Sequence, residues 1–140
     1  MTYATKQDLI DRAGEAEIFQ VADREGPTSE DQVISAALED ADRKIDAYLA
    51  VRYSVPLSSV PTIVLGWAVS IARYTLHRDG APDHVVRDYR DALAELKDAS
   101  AGRLAVPDAA GVSPQVSSQG GTISEGSEPM FTRDRLEGWL

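Results

Sequence analysis

The chain has 140 residues, no cysteine and a formal net charge of −9. That length supports one domain with its own core and a tail, and the lack of cysteine excludes disulfides and thiolate metal sites. The acidic balance argues against a protein that grips nucleic acid through its phosphates. The plain reading of such a charge is solubility; it is also compatible with the lining of a passage that must not hold DNA.

Residues 1–11 contain no basic segment followed by an apolar run, so they do not read as a signal peptide. Thr5 is placed to cap a first helix over about residues 6–13, with Asp8 in the first turn, where the helix dipole favours an acid. Leu9 and Ile10 supply its apolar face and Gly14 its stop. A second short helix, about residues 15–21, turns Ile18, Phe19 and Val21 inward, and residues 23–27 form a polar loop. Ser29 and Gln32 have capping-box spacing. The helix they open is expected to reach Arg52. Val33, Ile34, Ala37, Leu38, Ala41, Ile45, Tyr48 and Leu49 recur along it at three- and four-residue intervals, the signature of one helical face. Glu39, Asp40, Asp42, Arg43 and Lys44 make the opposite, solvated face.

A turn follows over residues 53–60, where Val55 and Val60 each precede a proline and are pushed toward extended backbone. Pro61 suits the first turn of the next helix, because no amide donor is missed there. Residues 61–79 are apolar on nearly every side, through Ile63, Val64, Leu65, Trp67, Val69 and Ile71. A helix of that kind is either a membrane span or the centre of a bundle. Its apolar run is shorter than the roughly 20 residues a bilayer needs, and it contains Arg73, so we read it as the central helix and expect no membrane association. Residues 79–82 break it. Asp83 can cap a last long helix to about residue 101, with Val85, Val86, Tyr89, Ala92, Leu93 and Leu96 on its apolar face and Gly102 closing it. No β-alternation of useful length precedes residue 103. The expected fold is all-α, a small bundle of about three long and two short helices over residues 1–102, with Trp67, Ile71, Ile45, Leu49, Leu93 and Leu96 in its core.

Composition shifts at residue 103. Residues 103–128 are rich in Gly, Ser, Ala and Pro and bury too little apolar area to offset the entropy of ordering them. Phe131, Leu136, Trp139 and Leu140 then gather at the end, with Arg133 and Arg135 beside them. Residues 103–140 therefore read as a flexible linker and an extended docking arm. The arm either folds back on its own domain or orders against a partner, and both readings stay open on composition alone.

The sequence offers no glycine-rich phosphate loop, HExxH, GxSxG or EF-hand loop, and no cofactor is expected. His77 and His84 can approach each other across the turn at 79–83. Without an acidic pair at ligand spacing, they read as helix-end histidines rather than a metal site. No two carboxylates are marked as an acid/base pair, so no catalytic residue is assigned. Arg73 lies inside the run Ile71-Ala72-Arg73-Tyr74. Burying an unpaired guanidinium is costly, so it should find a carboxylate. Asp46, at the border of the preceding helix's apolar face, is the candidate; snorkelling to solvent is the other solution.

Three segments together carry a resemblance. They are Tyr3-Ala4-Thr5 with Asp8-Leu9-Ile10; Ile45-Asp46 with Tyr48-Leu49, Arg52-Tyr53, Pro56-Leu57 and Pro61; and Ile71-Ala72-Arg73-Tyr74 with Leu76. In order and spacing the chain resembles the small neck protein of Mu-like tailed phages and prophages, a head–tail connector (adaptor) family, over about residues 1–104. Phe131-Thr132-Arg133-Asp134 is similar to that family's ending, whereas residues 105–128 match nothing known in it. The resemblance implies a non-enzymatic virion subunit, assembled in the host cytoplasm into a ring of about twelve copies. Such a ring sits beneath the portal protein and joins the head to the stopper and tail-terminator neck proteins, with genome DNA passing through without sequence-specific binding. Two other readings compete with it. One is a cytoplasmic regulatory module that docks through its C-terminal segment; the other is an enzyme using His77, His84 and nearby carboxylates, for which the sequence offers no pocket.

Overall fold

The computed structural model describes residues 2–107. Five helices make up the regular structure among them: α1 (Lys6–Ala13), α2 (Glu15–Ala22), α3 (Glu30–Leu49), α4 (Thr62–Leu76) and α5 (Asp83–Ser100). The fold is all-α, as the sequence pattern requires.

Local chemistry sets most of the helix starts. At α1 the Thr5 hydroxyl accepts from the Asp8 N–H at 3.2 Å and the Asp8 carboxylate accepts from the Thr5 N–H at 2.7 Å. Ser29 and Gln32 make the same reciprocal pair at the start of α3, at 3.3 and 3.0 Å. Both satisfy amide donors that a helix N-terminus leaves without an internal partner. Gly14 ends α1 and begins α2 with φ +91°, a left-handed backbone that other residues adopt at a cost. Two helix starts, at Pro61 and Asp83, differ from expectation by one residue. Pro61 and Pro82 stand at the N-cap positions of α4 and α5, and Asp83 opens the first turn of α5 rather than capping it.

The C-terminal ends depart further from the sequence pattern. Helix α3 stops at Leu49, short of Arg52, because the chain tightens so that both Arg52 and Tyr53 donate to the Leu49 carbonyl. That turn carries Tyr53 into the core. Helix α4 ends at Leu76 rather than Asp79, where His77 swings out of helical geometry at ψ 69°. The peptide between Val55 and Pro56 is cis.

Helix α4 is the centre of the bundle and touches each of the other four helices. Val64, Trp67, Ala68, Ile71, Ala72 and Leu76 are buried along it. Ile45 and Leu49 of α3 and Leu96 of α5 close on it as expected, while Leu93 is only half-buried at the edge of the core. The packed chain continues past residue 102, where the helical domain was expected to end. Leu104 lies against the core, Val106 is fully buried, and the Val106 N–H donates to the Tyr53 hydroxyl at 3.2 Å. The linker expected to begin at 103 is therefore part of the domain for its first residues. The docking residues Phe131, Arg133, Arg135, Leu136, Trp139 and Leu140 lie outside the described residues.

Candidate functional site

Three polar networks and one groove organise this scaffold. The first forms around Arg73, which is 9 % exposed. Its Nε donates to Glu17 Oε2 at 3.0 Å and its Nη2 to Glu17 Oε1 at 2.9 Å, a forked pair of charge-assisted bonds. The partner expected from the sequence, Asp46, does not take part, and Arg73 does not snorkel to water. The face of α4 that carries Arg73 turns toward α2, so Glu17 is the carboxylate within reach. His84 and His77 join the same cluster: His84 Nε2 lies 3.3 Å from Arg73 Nη2, and His77 Nε2 lies 3.6 Å from Glu17 Oε1. The two histidines do converge across their turn, but around an ion pair that already occupies the carboxylate. The cluster ties α2, the end of α4 and the start of α5 together.

Asp46 belongs to the second network. It accepts from the Tyr3 hydroxyl, which in turn accepts from the Leu57 N–H at 2.9 Å. The Tyr3 N–H is shared by the two Asp42 carboxylate oxygens at 3.0 and 3.2 Å. The N-terminal segment, α3 and the proline turn are thereby locked to one another. Burial and the bond to Asp46 hold the Tyr3 hydroxyl well above its ordinary pKa of 10.0. Burial also raises the pKa of Asp42. The third network, Tyr53 to Val106, fixes the residues after α5 against the same turn.

The groove runs along α4 between α1 and α5. Ile63, Gly66, Trp67 and Ser70 form its floor, Asp88, Asp91 and Glu95 one wall and Arg12 the other, around a volume of 270 Å³. An adjoining depression of 330 Å³ shares Arg12 and Gly66 and adds Asp8, Asp11, Leu65 and Val69. The indole Nε1 of Trp67 donates to Glu95 Oε2 at 2.6 Å, so this wall is anchored to the floor. On the opposite flank of α5, Tyr74 and Tyr89 stack with ring centroids 3.9 Å apart, and Lys44 Nζ donates to the Tyr89 hydroxyl at 2.8 Å.

These arrangements position helices and present a surface; none of them sets a nucleophile against a base. Residues 3–125 match the family described as Bacteriophage Mu, Gp36. The chain belongs to that family. It is 31 % identical over 142 aligned positions to the "Mu-like prophage FluMu protein gp36" of Haemophilus influenzae, covering 99 % of this chain and 98 % of the relative. It is 30 % identical over 105 positions to "Gene product J" of Escherichia phage Mu, covering 74 % of each chain. As a member of the Mu Gp36 family it is a Mu-like phage protein. No helix among the described residues is long and apolar enough to cross a membrane.

Seen from the family, the residues that carry the resemblance have structural work. Tyr3, Asp46 and Leu57 share one network, Tyr53 holds Val106, and Arg73 holds Glu17. Glu17 does not stand out in the sequence, where the pattern of α2 marks only its apolar residues. The signal available was an acid immediately before Ile18 and Phe19. The groove was missed because its walls come from two helices with α4 between them, and no single periodic pattern contains them.

Proposed function

We propose that this protein is a head–tail connector (adaptor) subunit that forms a ring beneath the phage portal and joins the head to the stopper and tail. The observation that carries this reading is the family match over residues 3–125, together with the use of the family-like residues as scaffold contacts rather than as a reacting centre. In this reading the protein works in the virion neck after assembly in the host cytoplasm, and it is not an enzyme. Its partners are the portal protein, the stopper and tail-terminator proteins, and copies of itself. Genome DNA passes through the ring. The net charge of −9 supports a channel that does not retain a polyanion, since each Lys or Arg contact to phosphate would add salt-sensitive binding.

The test is the mass of the purified protein alone and after mixing with portal rings. A free subunit that becomes a closed ring on the portal is the expected result. Absence of any portal complex, with the subunit folded, would overturn the proposal. The C-terminal arm supplies an internal control: a chain lacking residues 129–140 should keep its melting temperature and fail to attach. Loss of the fold in that chain would mean that the arm packs on its own core.

A further inference from the structure

The groove along α4 has a chemistry that nothing in the five-helix scaffold answers. Its floor carries the half-buried Ile63 and Leu65 beside the nearly buried Trp67; Asp88, Asp91 and Glu95 form an acidic wall on one side, and Asp8 and Asp11 flank Arg12 on the other. Asp88 and Asp91 have no cationic partner among the described residues, although the chain holds 14 Lys and Arg residues. Gly66 leaves the middle of the floor open: a Cβ built there meets nothing within 4 Å. A fitting occupant is a short segment with large apolar side chains and interspersed arginines.

The chain itself contains such a segment. Phe131, Leu136, Trp139 and Leu140 supply the apolar groups, and Arg133 and Arg135 the positive charge. Arg12, exposed and without a carboxylate partner among the described residues, can meet Asp134 or Glu137 of the same segment. The exit point of the chain also fits. Val106 is held by Tyr53 beside the turn that leads into α4, and Thr62 and Ile63 line the groove where α4 begins. The residues from 107 to Phe131, expected from their composition to form a flexible linker, would span on the order of 25–30 Å by the square-root rule for flexible chains. That is about the width of a domain of this size.

We propose that this groove receives the C-terminal segment, residues 129–140, of the neighbouring copy of the chain. The proposal rests on the connector reading, which places copies side by side. Each subunit then presents one groove and one segment, a head-to-tail contact of the kind that closes into a ring. Aromatic burial on the floor provides the anchor, and the charges on the walls set direction and register.

Because the chain has no cysteine, engineered disulfides test this directly. Full-length Gly66→Cys and full-length Leu140→Cys chains are mixed under mild oxidant, with and without portal rings. A disulfide needs Cα atoms within about 7 Å, so rapid bonding reports docking. The expected result is a mixed covalent dimer that forms about tenfold faster than with an Ala36→Cys control on the outer face of α3, as local concentration requires. Arg135→Glu in the donor chain should slow bonding, and Asp91→Arg in the acceptor should restore it. A Gly66→Cys/Leu140→Cys double variant that closes within one chain would overturn the neighbour as occupant, and bonding no faster than the control would overturn the groove as the site. A ring that forms on the portal without the disulfide defeats this inference and leaves the connector reading intact, whereas no ring at all defeats the connector reading and this inference with it.

Discussion

Replacing Glu17 with Ala removes both acceptors that hold the Arg73 guanidinium at 2.9 and 3.0 Å and leaves it with His84 Nε2 at 3.3 Å. Stripping the partner from a buried ion pair costs about 3–5 kcal/mol, because the remaining charge stays desolvated. The Glu17 side chain is 25 % exposed, so water can follow it out, and the expected loss falls to about 2–4 kcal/mol. In a domain of about 100 residues this lowers the melting temperature by roughly 10–25 °C. Arg73→Met should cost less, about 1 kcal/mol, since a partly exposed carboxylate rehydrates and the methionine still fills the apolar site. Urea unfolding followed by far-UV circular dichroism gives the free energies, and a double-mutant cycle gives the coupling. Glu17 and Arg73 should couple by at least about 1 kcal/mol, whereas Asp46 and Arg73 should be additive within about 0.5 kcal/mol. A Glu17→Ala loss no larger than that of the exposed control Glu39→Ala would refute the argument, as would measurable coupling of Arg73 to Asp46.

Tyr3→Phe should cost about 1–3 kcal/mol at neutral pH through the lost Asp46 and Leu57 bonds. It should also flatten the alkaline limb of stability. The folded pKa of Tyr3 lies above its unfolded value of 10.0, so the folded state keeps a proton that the unfolded chain releases. The parent's stability is therefore complete below pH 10 and declines as pH rises beyond it, a slope that urea titrations of parent and variant will separate. Two glycine substitutions should move in opposite directions. Gly66→Ala, in the middle of α4 with open space around it, should stabilise by about 0.5–1 kcal/mol. Gly102→Ala should destabilise by about 1 kcal/mol, because φ is +80°, a backbone that alanine adopts at a cost, while the Arg52 guanidinium beside it must also shift. Thermal unfolding of the pair checks the contrast. In a fluorescence titration at about 0.15 M salt, the purified subunit should bind duplex DNA no more tightly than about micromolar, as an acidic surface requires; tighter binding would contradict the channel argument.

The sequence alone determined what neighbouring residues decide. Thr5 with Asp8 and Ser29 with Gln32 mark helix starts, since a cap bonds an amide only a few positions away. The spacing of Ile34, Leu38, Ala41, Ile45 and Leu49 marks the buried face of α3 for the same reason, helical geometry being local and periodic. The family was legible too, in segments whose side chains lock the scaffold. The tertiary structure decided where α3 and α4 end: the Tyr53 ring is buried after α3 and its hydroxyl accepts from Val106, and His77 leaves helical geometry beside Glu17 of α2. It also chose Glu17 over Asp46 for Arg73. Both acids lie on amphipathic helices, and which one meets a guanidinium depends on how the packed helices are rotated about their axes. The groove likewise exists only once α1 and α5 settle on either side of α4 and leave part of its surface between Arg12 with Asp8 and Asp11 on one side and Asp88, Asp91 and Glu95 on the other. Hydrogen bonds within a helix reach four residues along the chain, whereas the bond from Arg73 to Glu17 joins residues 56 positions apart and forms only when the core has packed.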